Sequence, residues 1–340
     1  MIISDIIVGL QHGDEGKGKV VYHLIKNNKY TRCVRFNGGP NAGHTIYINK
    51  NKIVTHQLPT GILYGIPSLI GPGCVIDISK LNEEINEVRK FGIDISSLLK
   101  ISKNAHIIQE EHIQEDIATD KVGSTKSGIR PVYRNKYNRS GMRVNDNKKI
   151  LKYLKENGID VVDSSEFLNV GDQYILFEGA QGFELDIDWG DYPYVTSSNC
   201  IAGYATCSGV SPKSVQNIWG IAKLYDTYVG LKKFQPNDKI FDKLGDIGNE
   251  FGATTGRRRH CNWLNIETLK RAIRVNGVTH LVINKCDIIE KLNKFVIYVK
   301  NGNKKEFSSL NEMKEFIIRE LKSENISESN IFFSYSKEKI

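Results

Sequence analysis

The chain alternates short apolar runs with amphipathic segments. The first run, from Ile2 to Leu10, is mostly apolar and β-branched, which is typical of a buried strand. Similar runs predict strands at Cys33 to Phe36, Lys52 to Gln57, Ser68 to Ile70, Val75 to Ile76, Tyr174 to Phe177, Asn217 to Leu224 and His280 to Asn284. Helical patterns follow at Val20 to Ile25, Ser79 to Phe91, Lys148 to Asn157 and Ile266 to Asn276. This alternation predicts an α/β fold with a largely parallel central sheet and ligand-binding loops at the strand ends.

The pattern predicts a single domain over residues 1–340, because no internal repeat or low-complexity linker divides the chain. Residues 95–165 are expected to form a helical and loop excursion from the sheet. Within it, residues 120–146 are rich in Gly, Ser and Arg and are a candidate substrate loop. Residues 290–340 are expected to form a shortened C-terminal part.

Composition narrows the class of protein. The 340 residues are 40% hydrophobic and 25% charged, which is enough to bury a substantial core. No apolar run approaches the roughly 20 residues that span a bilayer, so no membrane partner is expected. The six cysteines lack zinc-site spacing and no signal-like segment opens the chain, so we expect a reducing, cytoplasmic location, in the host cytoplasm if the protein is viral.

The net charge of +8 is spread along the chain except for Arg257 to Arg259 and a lysine-rich C-terminal third. Scattered basic residues favour small anionic ligands over nucleic acid, which remains the weaker alternative.

A glycine-rich loop, Gly13 to Lys19, follows the first strand and resembles a phosphate-binding loop. Val20 stands where that loop normally has a Ser or Thr that holds magnesium. Glycines let backbone N–H groups approach phosphate oxygens, and Lys17 and Lys19 add positive charge. Asp14 would repel a phosphate unless it binds a metal or abstracts a proton, so it is a candidate catalytic residue. The alternative is a tight turn with solvated charges.

Three further loops carry candidate chemistry. Asn37 to Thr45 contains three glycines and His44, whose imidazole can protonate or polarise an oxygen, although a lone loop histidine is often structural. Glu178 to Gly182 and Tyr192 to Asn199 offer amides and hydroxyls for a base edge or phosphate, although each also reads as an ordinary turn.

The segment Gly252 to Arg259 places three arginines after a flexible, hydroxyl-bearing loop. Guanidinium groups bind carboxylates and phosphates bidentately, so this segment suits a dianionic amino acid beside a nucleotide. A solvated basic patch is the alternative.

The run Leu281 to Asp287 reads as a strand that ends in Asn-Lys-x-Asp. An Asp at a strand end can accept both hydrogen bonds from guanine N1–H and its 2-amino group, while the Lys285 stem packs on the ring. Together with a phosphate loop, this suggests a guanine nucleotide. A non-catalytic guanine-nucleotide switch would carry the same two features and is the alternative of another class.

Taken in order, these motifs resemble the adenylosuccinate synthetase family from Ile6 to about Ile289. The matching motifs are Gly-Asp-Glu-Gly-Lys-Gly-Lys, Asn-Ala-Gly-His-Thr, Glu-Gly-Ala-Gln-Gly, Tyr-Pro-Tyr-Val-Thr-Ser-Ser-Asn and Gly-Asn-Glu-Phe-Gly-Ala-Thr-Thr-Gly-Arg-Arg-Arg. The resemblance implies a ligase that uses a nucleoside triphosphate and magnesium to join L-aspartate to a 6-oxopurine nucleotide through a 6-phosphoryl intermediate.

The resemblance also implies roles for individual residues. Those expected in catalysis are Asp14, Lys17, His44 and Gln181, and those at the metal are Asp14 and the carbonyl of Gly43. The triphosphate is expected at Gly13, Asp14, Glu15, Gly16, Lys17, Gly18, Lys19, Gly43, His44, Thr45, Arg259, Lys285, Asp287, Ser334 and Ser336. The purine nucleotide is expected at Asn41, Ala42, Ser124, Thr125, Arg139, Gln181, Leu185, Thr196, Val229 and Arg257. Aspartate is expected at Ala253, Thr254, Thr255, Gly256, Arg257 and Arg259.

The resemblance further implies a homodimer in which Arg139 reaches into the site of the partner subunit. The chain is short for the family and looks like its compact archaeal type, with His12 in place of a usual tryptophan. Ser124 to Gly128 and Tyr228 to Lys233 also depart from the family pattern.

The family's terminal Ser-Thr-Gly-Pro, which helps to hold guanine, appears here as Ser334 to Lys337. GTP, ATP and dATP therefore all remain candidate donors. IMP is the expected nucleotide substrate because Asp14 is retained. The alternative is GMP or dGMP, as in viral relatives that make a 2-amino analogue of adenylosuccinate for 2-aminoadenine DNA.

Overall fold

The computed structural model describes residues 1–27, 30–48, 51–252, 256–336 and 340, without the side chains of residues 47, 48, 51 and 52. The strands in these residues are β1 Ile2–Gly9, β2 Arg32–Arg35, β3 His44–Ile48, β4 Asn51–Thr55, β5 Ser68–Ile70, β6 Val75–Ile76, β7 Leu99–Ser102, β8 His106–Ile107, β9 Asp160–Val162, β10 Gln173–Glu178, β11 Val215–Lys223, β12 Tyr225–Tyr228, β13 His260–Asn265, β14 His280–Asn284, β15 Phe295–Tyr298, β16 Lys304–Phe307 and β17 Ile331–Phe333. The α-helices are α1 Lys17–Asn27, α2 Ile78–Arg89, α3 Glu110–Thr119, α4 Ile129–Tyr137, α5 Lys148–Glu156, α6 Ser164–Leu168, α7 Lys239–Gly248, α8 Ile266–Asn276, α9 Cys286–Leu292 and α10 Leu310–Leu321.

The central sheet has nine strands in the order β17-β14-β11-β1-β10-β2-β5-β7-β9. Each neighbouring pair is parallel, which confirms the predicted α/β class. β1 lies near the middle and its last six residues are buried, as expected for a strand covered on both faces. Because the strands are parallel, the loops that follow them meet at one edge of the sheet.

Two predicted strands lie outside this sheet. The segment Lys52 to Gln57 begins in β4, which pairs antiparallel with β3 as a hairpin. Val75–Ile76 pairs with β8 instead of joining the large sheet. The predicted strand His280 to Asn284 is β14, with the same bounds, and the Asn-Lys-x-Asp motif continues into α9 through Lys285, which has a φ of 66°.

The excursion predicted for residues 95–165 leaves the sheet after β7 and returns to it as β9. α3, α4 and α5 lie between these two strands. Residues 290–340 include the antiparallel pair β15 and β16, then α10 and finally β17, which returns to the edge of the central sheet beside β14. The outer limits of a single domain remain a prediction.

None of the helices in the described part of the chain is long and apolar enough to cross a membrane.

Candidate active site

A cavity of about 740 Å³ opens where the loops after β1, β2 and β10 meet. It gathers residues from seven separate segments of the chain. The predicted site residues that line it are Gly13, Asp14, Lys17, Asn41, Ala42, Gly43, His44, Ser124, Thr125, Gln181, Leu185, Thr196, Val229, Arg257 and Arg259. Catalytic, nucleotide and aspartate candidates therefore share one cavity.

A second group of predicted residues lies together at the start of α1, outside the lining of the cavity. Lys19 Nζ donates to Ser334 Oγ at 2.5 Å and to the Ser336 carbonyl at 3.0 Å. Burial lowers the pKa of Lys19 to about 8, while the nearby charge of Asp287 acts in the opposite direction. The backbone N–H of Cys286 donates to the carbonyl of Ser334 at 3.1 Å, which places the C-terminal segment beside Lys285 and Asp287, the residues expected at the base of the triphosphate.

Asp14, in the phosphate loop, forms an ion pair with Arg259. Asp14 has a φ of 59°, a left-handed conformation that non-glycine residues adopt at a cost and that often marks functional sites. Its Oδ2 lies 2.7 Å from Nε of Arg259, and Nη1 of Arg259 lies 2.5 Å from Oε2 of Glu250. The pair joins a proton acceptor to a cation that can bind anionic ligands.

The rest of the phosphate loop is stabilised from within. Glu15 is buried and its Oε1 accepts hydrogen bonds from the backbone N–H of Gly13 at 2.9 Å and of Gln11 at 3.2 Å. Its Oε2 lies 2.8 Å from Nζ of Lys17, which also donates to the carbonyl of Gln181. The carboxylate of Glu15 therefore shapes the loop from inside, and Lys17 connects the loops after β1 and β10.

Gly16 and Gly18 are placed where little room exists for a side chain. A Cβ on Gly16 would lie 3.0 Å from Nδ2 of Asn284, and one on Gly18 would lie 3.0 Å from the carbonyl of Thr45. The amide of Asn284 donates to the carbonyl of Glu15 at 2.6 Å. The glycines thus allow the loop to pack closely on β3 and β14.

His44 is buried and pairs through Nδ1 with Oε1 of Glu178. Arg35 lies beside both, with Nη1 3.3 Å from His44 Nδ1 and 3.5 Å from Glu178 Oε1. Burial and the charge of Arg35 lower the pKa of His44 to about 4. Burial opposes ionisation of Glu178, but His44, Arg35 and a hydrogen bond from Thr60 lower its pKa to about 2. At neutral pH a neutral imidazole therefore lies against a carboxylate anion.

Gln181 presents a buried amide to this cavity. Its φ is 56°, and neither its Oε1 nor its Nε2 has a hydrogen-bond partner among the residues that the structure describes. A buried amide without a partner costs about 1–3 kcal/mol, so its retention indicates a ligand that supplies the partners. This observation supports a base edge or a phosphate next to Gln181.

Arg257 connects the substrate loop to the opposite wall of the cavity. Its guanidinium donates to the carbonyl of Gly123 at 3.0 Å and to that of Ser124 at 3.4 Å. The same loop is capped by Asp120, whose carboxylate accepts from the backbone N–H groups of three of the next four residues. The loop therefore has a defined conformation over the cavity.

Some predicted residues lie elsewhere. Arg139 is exposed just after α4 and outside the cavity lining. Of the expected aspartate-binding residues, Ala253, Thr254 and Thr255 lie outside the described residues, and Gly256 has a φ of 64°. Thr45 lies in β3 and offers its carbonyl toward Gly18.

Sequence reasoning gave no role to Arg35, Glu178 or Glu250, although all three are buried beside candidate residues. A charged residue at the end of an apolar strand was the available signal, since Arg35 ends β2 and Glu178 ends β10. Buried charges in such positions are nearly always paired.

A divalent cation has suitable ligands in this cavity. Asp14 and Gly43 both line it, and a carboxylate and a backbone carbonyl are the hard oxygen donors that Mg²⁺ prefers. No group of three His, Cys, Asp or Glu residues that could hold a metal is found within the described ranges. A site of this type fits Mg²⁺, which typically takes one or two protein ligands and completes its shell with water and substrate phosphates.

The lowered pKa of His44 predicts acid lability. In the unfolded chain its pKa would be near the ordinary 6.5, so below that pH the unfolded state binds a proton that the folded state accepts only near pH 4. The free energy of unfolding of the protein therefore decreases as the pH falls from 6.5 to 4. For His44→Asn we expect the fall to be shallower by up to about 1.4 kcal/mol per pH unit in this window.

Urea unfolding at a series of pH values measures this difference. His106 is the matched control, because burial also lowers its pKa to about 4 but it lies outside the cavity lining. His106→Asn should reduce the pH dependence of the free energy of unfolding in the same way. Identical pH slopes for the wild type and His44→Asn would show that His44 titrates normally.

A family model and the similar curated proteins all point to the same family. The sequence model described as adenylosuccinate synthetase matches residues 6–157 and 147–323. The adenylosuccinate synthetase of Cytophaga hutchinsonii is 39% identical over 350 aligned positions, covering 88% of this chain and 81% of that protein. That of Chlorobium phaeobacteroides is 41% identical, covering 84% of this chain and 77% of the relative.

Two solved structures are also similar. A fully ligated adenylosuccinate synthetase from Plasmodium falciparum matches with a TM-score of 0.78 at 31% identity, covering 92% of this chain and 85% of that one. The succinoaminodeoxyadenylate synthetase of cyanophage S-2L, bound to dGMP and dATP, matches with a TM-score of 0.76 at 21% identity, covering 100% of this chain and 94% of that one. The second likeness supports the fold alone.

Proposed function

The chain belongs to the adenylosuccinate synthetase family of C–N bond-forming ligases, and from that premise we propose that it condenses L-aspartate with IMP at the expense of GTP. Membership implies a nucleotide and aspartate as substrates. The observation that carries the proposal is one cavity lined by the carboxylate of Asp14, the imidazole of His44 and the guanidinium of Arg259. These groups match the proton acceptor, the acid and the anion-binding cation that the reaction requires.

The first step activates the purine. Asp14 takes the N1 proton of IMP, and the 6-oxygen attacks the γ-phosphorus of the triphosphate, which releases the diphosphate. His44 is neutral before substrate binds, because its pKa is lowered to about 4. The negative charge of a bound γ-phosphate raises this pKa, so that His44 gains a proton and donates it to the transferring group.

The second step forms the new bond. The neutral amine of aspartate attacks C6 of the 6-phosphoryl intermediate, the bond between C6 and the phosphoryl oxygen breaks, and inorganic phosphate leaves with the proton that the amine loses. Arg257 and Arg259 are the side chains suited to the two carboxylates of aspartate, because guanidinium groups bind carboxylates bidentately. The buried amide of Gln181 supplies hydrogen bonds to the nucleotide beside them.

We propose Mg²⁺ as the cofactor, held by Asp14, the Gly43 carbonyl and substrate phosphates. A bound magnesium ion polarises phosphoryl oxygens and neutralises charge that develops on them. Asp14 and Gly43 line the same cavity, and the carboxylate of Asp14 lies 2.7 Å from Nε of Arg259. Phosphate release that persists in excess chelator would rule out the cofactor.

The choice of GTP rests on the second cluster of residues. Asp287 at the start of α9 can accept from guanine N1–H and the 2-amino group, and the stem of Lys285 can pack on the ring. The hydrogen bonds from Lys19 hold Ser334 and Ser336 beside them. ATP or dATP as donor would require Asp287 to face a base without these two N–H donors.

We also propose a homodimer in which Arg139 serves the active site of the partner subunit. Its exposure after α4, outside its own cavity, supports this. A monomer at assay concentration in analytical ultracentrifugation would contradict it.

We place the reaction in the cytoplasm, where nucleotide pools are available. Cell fractionation that recovers the protein elsewhere would contradict that location.

A substrate matrix tests the proposed function. Purified protein is given IMP, GMP or dGMP, each with GTP, ATP or dATP, in the presence of aspartate and Mg²⁺. We expect phosphate release that depends on both IMP and aspartate and is fastest with GTP. Turnover only with GMP or dGMP would assign the chain to the synthesis of the 2-amino product. Aspartate-independent GTP hydrolysis would contradict the ligase reaction.

A further inference from the structure

Glu250 lies at the base of the arginine loop, defined here as residues 250–259. It follows α7, whose end is marked by Asn249 with a φ of 50°. Its carbonyl accepts from the backbone N–H of Arg259 at 3.0 Å, and the N–H of Gly252 donates to the carbonyl of Arg257 at 2.8 Å. The two ends of the arginine loop are thus paired by backbone hydrogen bonds, with Glu250 directly opposite Arg259.

The side chain of Glu250 is fully buried and is surrounded by cations. Its Oε2 lies 2.5 Å from Arg259 Nη1 and 3.8 Å from Lys223 Nζ, and its Oε1 lies 3.4 Å from Lys285 Nζ. The hydroxyl of Tyr225 donates to Oε1. Burial opposes ionisation, yet the three cations lower the pKa of Glu250 to about 2. Glu250 is therefore an anion throughout the physiological range.

Two of these cations belong to the proposed substrate sites. Arg259 lines the cavity and is proposed to bind aspartate and the triphosphate, while Lys285 is proposed to bind the triphosphate base. Lys285 Nζ also donates to the carbonyl of Gly248 at 2.9 Å, which holds it against the end of α7. One carboxylate thus contacts both cations.

Burying the Glu250 carboxylate among three cations costs free energy of hydration, which suggests that the cluster has a role beyond stability. A buried ion pair often contributes little net stability compared with apolar packing, because both charges lose their hydration. Arg259 is planar and can be held in one orientation by Nη1 and Nε while further N–H groups face a ligand. Glu250 on Nη1 and Asp14 on Nε supply those two contacts.

We propose that Glu250 is a positioning residue that orients Arg259 toward aspartate and, through Lys285, couples the aspartate and triphosphate sites. This inference rests on the proposed ligase function. Glu250 itself touches no substrate, and its effect passes through the guanidinium that it holds.

Glu250→Gln tests the inference, because it keeps the shape of the side chain and removes its charge. Freed from this carboxylate, Arg259 loses its fixed orientation. We expect the KM for aspartate to rise roughly ten- to hundred-fold, as for loss of one partner of a buried charge pair, with the KM for IMP within about threefold of wild type. Steady-state kinetics with each substrate varied in turn measures this split.

Glu324→Gln is the matched control. Glu324 is also buried and accepts hydrogen bonds from Arg274 at 2.7 Å and 3.1 Å, but it lies outside the cavity lining. The Glu324→Gln substitution should lower the melting temperature and leave the KM values for aspartate and IMP unchanged. An unchanged KM for aspartate in Glu250→Gln would overturn the inference. Lack of turnover by the wild type would instead contradict the proposed function.

Two further variants separate positioning from stability. Arg259→Leu should raise the KM for aspartate, and adding Glu250→Gln to it should cause no further rise if Glu250 acts through Arg259. A further rise would overturn the inference.

If Glu250→Gln does not fold, Tyr225→Phe tests whether Glu250 positions Arg259. Loss of the hydroxyl removes one hydrogen bond to the Glu250 carboxylate while its neighbouring cations remain, so the aspartate KM should rise about two- to fivefold, and no rise would count against Glu250.

Discussion

Asp14→Asn is expected to lower kcat by roughly 10²- to 10⁴-fold, the usual contribution of a positioned general base. The amide cannot take the N1 proton of the purine and is a poorer ligand for magnesium. Asparagine is the chosen replacement because it tolerates the left-handed conformation that Asp14 adopts at a φ of 59°. The backbone of the phosphate loop should therefore be preserved, and triphosphate affinity should change by only a few-fold. Single-turnover phosphate release and equilibrium binding measure the two quantities separately.

Asp246→Asn is the control for Asp14. Asp246 pairs with Arg258 at 2.7 Å on the exposed surface. Breaking such a pair changes stability by about 0–1 kcal/mol and should leave kcat unchanged. Asp14→Ala should also be inactive. If Asp14→Asn turned over near the wild-type rate, Asp14 would not be the proton acceptor, and its pairing with Arg259 would be structural.

Six of the nine strands of the central sheet were predicted, because each is a short, mostly apolar run in the sequence, whereas β7, β9 and β17 were not predicted. β1, β10, β11 and β14 are mostly apolar runs that end at a glycine or a polar residue, and most of their residues are buried, although β11 is buried only over its last four residues. Their parallel direction was expected from the alternation of strands with helical patterns, although no α-helix lies between β10 and β11 among the residues that the structure describes. The order β17-β14-β11-β1 could not be predicted, because pairing depends on contacts between positions that are far apart in the chain.

A second, four-stranded sheet, in which β12-β13 and β15-β16 pair antiparallel and β13-β15 pair parallel, was not predicted for a related reason. β12, β13 and β16 mix polar and apolar residues, whereas β15 is an apolar run of only four residues. β16, Lys304–Phe307, has three exposed residues followed by one buried phenylalanine. Such a segment reads as a charged loop until its partner strand β15 is known. α10 was missed because it lies in the lysine-rich part of the chain.

The candidate site followed the same division. Glycines, His44 and the arginines stand in local motifs, so sequence reasoning named most residues that line the cavity. The groups that support them were not predicted. Glu178 contacts His44 across 134 positions of sequence, and Lys285 contacts Glu250 across the boundary between two motifs. A motif gives the residues that meet a ligand more readily than the buried charges that orient them.

Membership of the family also resolves the alternative classes. A guanine-nucleotide switch would need the phosphate loop and Asn284 to Asp287 but has no use for a cavity lined by Asp14, His44 and Arg259. A nucleic-acid-binding protein would need a continuous basic surface. Here several arginines and lysines near the site are paired with carboxylates, as Arg259 is with Glu250 and Arg35 with Glu178.

His44→Asn is expected to lower kcat by roughly 10²- to 10⁴-fold, as for removal of a general acid. Asparagine can still donate to Glu178 from the position of Nδ1, so the buried carboxylate keeps a partner. It has no group at the position of Nε2 and cannot transfer a proton. Because Arg35 and Glu178 remain, the charge of the site is preserved at neutral pH, where His44 is neutral in the free protein.

The comparison with His106→Asn shows whether the loss is chemical. Both histidines are buried with pKa values lowered to about 4, so both replacements should alter acid stability alike. Only His44 lines the cavity, so only its replacement should slow phosphate release. Triphosphate affinity should stay within a few-fold of wild type in both variants. A His44→Asn enzyme with wild-type kcat would mean that Arg35 and bound magnesium stabilise the transferring phosphoryl group without an acid.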